Sequence, residues 1–242
     1  DLIKVMTGIR RSGKSVMLEL IKQELIDSGV SSSQFISINF EDMRYTHLQT
    51  AKALYDEISS RSAGIDGKIY LFFDEIQEVK DWEKCINSFR VALDCDIYIT
   101  GSNAKLLSGE LATYLAGRYV EFIVYPFSFA EFLELYHSVF PEETVQKSFQ
   151  QYILYGGMPY LANIRYADEP SRQYLQDLFN SVQLKDIVKR NKIRDVDLLE
   201  RIMAYVMANV GNTFSASSLA KFLKSEQRTV APETIELYPV LL

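Results

Sequence analysis

Residues Gly8-Ile9-Arg10-Arg11-Ser12-Gly13-Lys14-Ser15 match the pattern G-x-x-x-x-G-K-[ST], whose chemistry is the holding of a polyphosphate. Glycines at both ends let the backbone curl so that successive N–H groups and a helix N-terminus face negative charge. The cradle runs from Gly8 to Val16; Lys14 is expected to reach the outer phosphates and the Ser15 hydroxyl to ligate magnesium. A second reactive pair stands further along. The apolar run Ile69-Tyr70-Leu71-Phe72-Phe73 leads straight into Asp74-Glu75, so one strand delivers two adjacent carboxylates at its end. Asp74 can then hold the metal, and Glu75 can orient and polarise an attacking water.

These groups need a scaffold that brings them to one edge. Five apolar runs read as strands, at 2–7, 35–40, 69–73, 97–100 and 120–124, separated by helical patterns at 14–28, 48–60, 82–93 and 104–115. Such alternation implies a parallel five-stranded α/β sheet with helices on both faces, where ligands sit beyond the carboxyl ends of the strands. From about 128 onward only helices are expected, at 129–136, 142–155, 171–189 and 197–210. The chain therefore divides into a nucleotide-binding core at 1–127, a helical lid at 128–194 and a helical module at 195–242.

The strand between loop and acid pair, together with Glu75, resembles the branch of P-loop ATPases that has an added central strand and a catalytic glutamate. No guanine-reading Asn-Lys-x-Asp sequence occurs, so ATP is the expected nucleotide. The tip Thr100-Gly101-Ser102-Asn103 resembles the sensor position of AAA+ ATPases, with Ser102, Asn103 or Thr100 contacting the γ-phosphate or the water; an ordinary helix cap is the plain alternative. Arg10 and Arg11 add positive charge beside the phosphates, or face solvent or a neighbouring subunit. Arg118 precedes the fifth strand, where such ATPases present a cation in cis or in trans; a surface ion pair fits equally.

The stretches Val5 to Ser15, Phe73-Asp74-Glu75-Ile76-Gln77, Thr100 to Asn103, Leu115-Ala116-Gly117-Arg118, Tyr125-Pro126-Phe127-Ser128-Phe129-Ala130-Glu131-Phe132 and Tyr155-Gly156-Gly157-Met158-Pro159 together resemble the AAA-like prokaryotic ATPases. Members of that family often carry a C-terminal nuclease-like domain of unknown function (DUF4143). Gly157-Met158-Pro159 also resembles the Gly-x-Pro signature of signal-transduction ATPases, in which a helical region beside the nucleotide reports its state; otherwise it is a sharp corner. Helical patterns beginning near Asp197, Ser215 and Ala231 look like a winged helix-turn-helix, but Glu233 and Glu236 suit a DNA groove poorly and favour protein packing.

Net charge is -6, with 16 basic against 24 acidic residues in 1–170 and 10 against 8 in 171–242. A mildly basic tail permits a DNA contact without requiring one, and the cluster Lys185, Lys189, Arg190, Lys192 and Arg194 reads first as a solvated helix end. The expected partners are thus ATP and magnesium, then a protein partner or self-association, with DNA the weaker alternative. Cys85 and Cys95 read as reduced packing residues. No apolar run is long enough to span a bilayer and no signal peptide is visible, so a cytoplasmic protein is expected. The sequence starts at a strand and stops within an apolar pattern, so further segments on both sides are expected.

Overall fold

The computed structural model describes residues 2–101, 115–182, 188, 193, 195–213, 215–226, 228 and 230. By backbone contacts the chain divides into two compact units, Asp1–Gln173 and Tyr174–Leu242.

The first unit is built on five strands: β1 (Ile3–Thr7), β2 (Phe35–Asn39), β3 (Ile69–Asp74), β4 (Cys95–Thr100) and β5 (Tyr119–Ile123). Their order is β2-β3-β4-β1-β5, and every pairing is parallel. Because side chains alternate along a strand, Ile3, Val5, Leu71, Phe73, Ile97 and Ile99 fill one face. There they pack with Leu54 and Ile58 of α2 (Ala51–Ser62) and Trp82, Cys85, Ile86 and Phe89 of α3 (Trp82–Ala92). Met6, Phe72 and Tyr98 fill the other face, against Leu18, Ile21 and Leu25 of α1 (Lys14–Asp27). Full burial of one such large side chain contributes about 1.5–3 kcal/mol, so the two layers fix the sheet firmly. The helix expected at 104–115 lies almost wholly outside the described residues.

The strand boundaries follow the expected runs to within two residues. The largest difference is β4, which begins at Cys95 instead of Ile97 because Asp96 lies inside the strand. The residue is only 8% exposed, and its carboxylate is held by Lys4 of β1 and by the Tyr98 hydroxyl at 3.1 Å. Cys85 and Cys95 are buried free thiols.

Beyond β5 come α4 (Phe129–Val139), α5 (Val145–Tyr155) and α6 (Asp168–Ser181), as the helical patterns indicate. Ser128 and Glu131 form a reciprocal capping box that starts α4. Phe132 and Tyr136 stack on each other and meet the Tyr166 ring edge-on or tilted, at ring centroid distances of 5.0 to 5.4 Å, tying α4 to the turn before α6. Burial pushes the Tyr166 hydroxyl up to about 12. Up to Gln173 these helices share one compact unit with the sheet.

In the second unit, α7 (Val196–Ala208) and α8 (Ala216–Ser225) pack through Leu198, Ile202, Leu219 and Leu223. Ser215 caps α8 by accepting from the Ser218 N–H, and Arg228 pairs with Asp195 and Asp197. The third helix expected from Ala231 and the basic cluster at Lys185, Lys189, Arg190, Lys192 and Arg194 lie outside the described residues. Among the described residues, no helix is long and apolar enough to cross a membrane.

Candidate functional site

β1 ends at the buried Thr7, and the chain turns at Gly8 with φ +146. Only glycine fits there. A Cβ on Gly8 would stand 2.2 Å from the Val124 carbonyl, while the Val124 N–H donates to the Thr7 carbonyl at 2.7 Å. Arg11 takes a left-handed φ of 64, and Gly13, at φ +103, opens α1. The Lys14 side chain folds back into this loop and donates to the carbonyls of Gly8 at 3.1 Å and Ile9 at 2.9 Å. It is only 6% exposed, so a cation is held at the centre of the loop.

The start of α1 is built unlike most of the other helices. Thr50, Ser128, Thr144, Asp195 and Ser215 each cap a helix with a side chain, whereas α1 has a glycine cap with no side-chain hydrogen bond and no acidic residue in its first turn. Its first N–H groups are thereby left for an anion. Ser15 and Val16 are exposed at this turn, Arg10 is half-buried, and Ile9 and Arg11 are exposed. The Ser12 hydroxyl is buried without a hydrogen-bond partner among the described residues and lies 3.1 Å from where a Gly8 Cβ would stand.

The parallel register brings the tips of β2, β3 and β4 to the same edge, with Asn39 opposite Asp74 and Phe73 opposite Ile99. Asp74, 6% exposed, accepts from the Asn39 amide at 3.0 Å and from the Thr100 hydroxyl. The Thr100 oxygen in turn accepts from the Glu75 N–H at 3.1 Å. Glu75 sits in a left-handed turn, φ 56 and ψ 46, and its carboxylate accepts from the Gln77 side-chain amide. Burial raises the proton affinity of Glu75. Its hydrogen bond to Gln77 and the charge of Lys14 oppose that rise, and Asp74 and Glu41 add to it. A half-buried carboxylate with raised affinity beside a cation is suited to accept a proton.

The structure thus brings the loop residues 8–16 together with Asp74, Glu75 and Thr100, while Ser102 and Asn103 lie outside the described residues. Arg118, left open between a role in cis, a role in trans and a surface pair, is placed away from these groups. Its carbonyl accepts from the Ile3 N–H at 2.9 Å, at the amino end of β1, and its guanidinium donates to Asn87 at 2.9 Å. A residue just before a parallel strand lies at the edge opposite the one where these strands end, so Arg118 does not reach Lys14.

Two neighbours were not singled out as site residues, and a third was read only as part of the Gly-x-Pro corner. Asn39 and Gln77 bond the two carboxylates, and the strand-tip argument that selects Asp74 applies equally to Asn39. Pro159 is the third. Its Cγ lies 4.0 Å from where a Gly13 Cβ would stand. The corner carrying it is clamped, because the Phe127 N–H donates to Gly157 at 2.8 Å and a Gly157 Cβ would stand 2.0 Å from the Phe127 carbonyl.

A parallel five-stranded sheet with a phosphate-type loop after β1, an acid pair after β3 and β4 between them defines a P-loop ATPase fold of the added-strand type. A family model described as "AAA domain" matches residues 1–133, and the chain belongs to that family. Residues 146–237 match a model described as a domain of unknown function, DUF8612, and the expected DUF4143 domain is not shown. An uncharacterized protein of Haemophilus influenzae is 40% identical over 243 residues, covering 100% of this chain and 60% of the relative. An uncharacterized protein of Methanocaldococcus jannaschii is 30% identical over 244 residues, covering 98% of this chain and 53% of the relative. The chain thus spans less than two thirds of either relative. Solved structures of similar fold include a RuvB variant of Thermotoga maritima, at TM-score 0.46 and 13% identity over 97% of this chain and 76% of that one. AMPPCP-bound DnaA from Aquifex aeolicus matches at TM-score 0.42 and 12% identity, over 98% and 81%. The family assignment rests on the AAA domain match alone.

Proposed function

We propose that this chain binds ATP with magnesium, hydrolyses it slowly, and uses the change of state as a conformational signal. The observation that carries this reading is the meeting of a lysine-filled, anion-ready loop with the Asp74–Glu75 pair at one edge of the sheet. Lys14 exchanges two loop carbonyls for phosphate oxygens, and the uncapped N–H groups of α1 bind the remaining charge. Ser15 and Asp74 hold magnesium, which when bound neutralises phosphate charge. Glu75 takes the proton of the attacking water, and Ser102 or Asn103 senses the γ-phosphate. Arg118 serves a neighbouring copy in trans or has no part.

Pro159 and the clamped Gly157 corner lie where a filled loop would be felt, which supports the helices after β5 as the first readers of the nucleotide. A winged-helix-like module at 195–242 then passes the signal to a protein partner, in the cytoplasm; a nuclease-like DUF4143 domain outside this segment is one candidate recipient. The test is direct. Lys14→Ala should abolish ATP binding, whereas Glu75→Gln should keep binding and lose about 10²–10⁴-fold in turnover. Unchanged turnover in purified Glu75→Gln protein removes Glu75 from this role. The alternative, an ATP-biased DNA-binding regulator with negligible turnover, draws on the mildly basic tail and requires duplex affinity that falls steeply with salt.

A further inference from the structure

We propose that Gln77 is a positioning residue for hydrolysis: its side-chain amide holds the Glu75 carboxylate in the orientation from which it receives the proton of the attacking water. The inference rests on the ATPase reading given above and adds a residue to it. Glu75 stands in a left-handed turn directly after β3, so its side chain leaves the sheet edge at an angle that ordinary strand geometry does not set. Its backbone is fixed by the N–H bond to Thr100 and by its carbonyl, which accepts from the Glu78 N–H at 3.1 Å. Among the described residues, the carboxylate is anchored by the Nε2 group of Gln77, two residues on in the short 3-10 turn Ile76–Glu78.

The Gln77 amide is oriented by that carboxylate. Its carbonyl oxygen is buried and has no hydrogen-bond partner among the described residues. Turning the amide over would place that oxygen against the carboxylate and bury the NH2 group unpaired, so the donor must face Glu75. Ile76, fully buried, pins the turn between the two side chains. A buried acceptor left unsatisfied costs stability, and here the gain lies in holding one particular carboxylate. Displacements of about 1 Å in a reacting group lower rates by roughly a hundredfold, which sets the size of the expected effect.

The test compares Gln77→Met, a near isostere without a donor, with Gln77→Asn, whose amide is one methylene too short, in the purified chain. Turnover is read as phosphate release at saturating magnesium-ATP, and affinity by titration with a fluorescent ADP analogue. Both variants should keep nucleotide affinity within about twofold and lose about ten- to a hundredfold in kcat. Retained affinity shows that the site is folded in each variant. Adding Gln77→Met to Glu75→Gln should cause no further loss, because the amide acts through the carboxylate. Wild-type kcat in Gln77→Met while Glu75→Gln is inactive overturns the proposal and leaves the ATPase reading standing. A further loss in the double variant, or a loss of affinity equal to the loss of kcat, also overturns it. Wild-type turnover in Glu75→Gln overturns the role of Glu75 itself, and this proposal with it.

Discussion

One hydroxyl, that of Thr100, serves both carboxylate residues: it donates to Asp74 and accepts from the N–H of Glu75. Thr100 is fully buried, so neither partner can turn to water if the hydroxyl is lost. Thr100→Val, which keeps the shape, should therefore destabilise the first unit by about 1–3 kcal/mol in urea unfolding, and should lower turnover as well. The two thiols make a different prediction. Burial pushes Cys85 up to about 12 and Cys95 up to about 11 from an ordinary 9.0, with nearby carboxylates adding to the shift. In the unfolded chain both ionise near 9, whereas the folded chain keeps them neutral, so this part of the stability is whole below 9 and declines as pH rises toward 11 and 12. Native protein at pH 8 should resist iodoacetamide, and denatured protein should be alkylated at both positions.

At the scale of elements, two glycines join the loop and the helices to the sheet with no room for a methyl group. Gly8→Ala would push a carbon to 2.2 Å from the Val124 carbonyl at a left-handed φ, so the loop or the exit of β5 must move. We expect lost nucleotide affinity and a lower melting temperature. Gly157→Ala meets the Phe127 backbone at 2.0 Å and should detach the Pro159 corner. Nucleotide binding should survive that change better than it survives Gly8→Ala, which separates the loop from its reader. Most elements were legible because they are long apolar runs or capped periodic helices; β3 and its acid pair could be read off directly. Asp96 was not, since a charge inside a strand is tolerated only through Lys4 and Tyr98 on neighbouring positions of the sheet, which a linear sequence does not show. Arg118 was left open between a role in cis, a role in trans and a surface pair; its place just before a parallel strand puts it at the amino end of the sheet, and the bond of its guanidinium to Asn87 is what a linear sequence does not show. Gln77 falls within the stretch Phe73 to Gln77 that carries the resemblance, but its role could not be read there, because it depends on the left-handed turn at Glu75.

At the scale of the whole molecule, the question is whether what happens at Gly8 to Val16 is felt in the second unit. The loop, the acid pair and the Gly157–Pro159 corner all belong to the unit Asp1–Gln173, and α7 and α8 to the other. A ligand that binds only the folded first unit stabilises it by about 2.7 kcal/mol at a hundred times its Kd, and this needs no change in the second. A signal needs more, because a conformational response requires the nucleotide to bind two states of the second unit unequally. Hydrogen exchange with the Glu75→Gln variant, compared with no nucleotide, with magnesium-ADP and with magnesium-ATP, separates these cases. Protection at 8–18 and 74–78 reports occupancy alone. If the chain is a switch, exchange at 152–162 should differ between ADP and ATP, and amides in α7 and α8 should follow in the same order. Equal exchange there in all three states would confine the nucleotide's effect to the first unit and leave the C-terminal helices without a part in reading it.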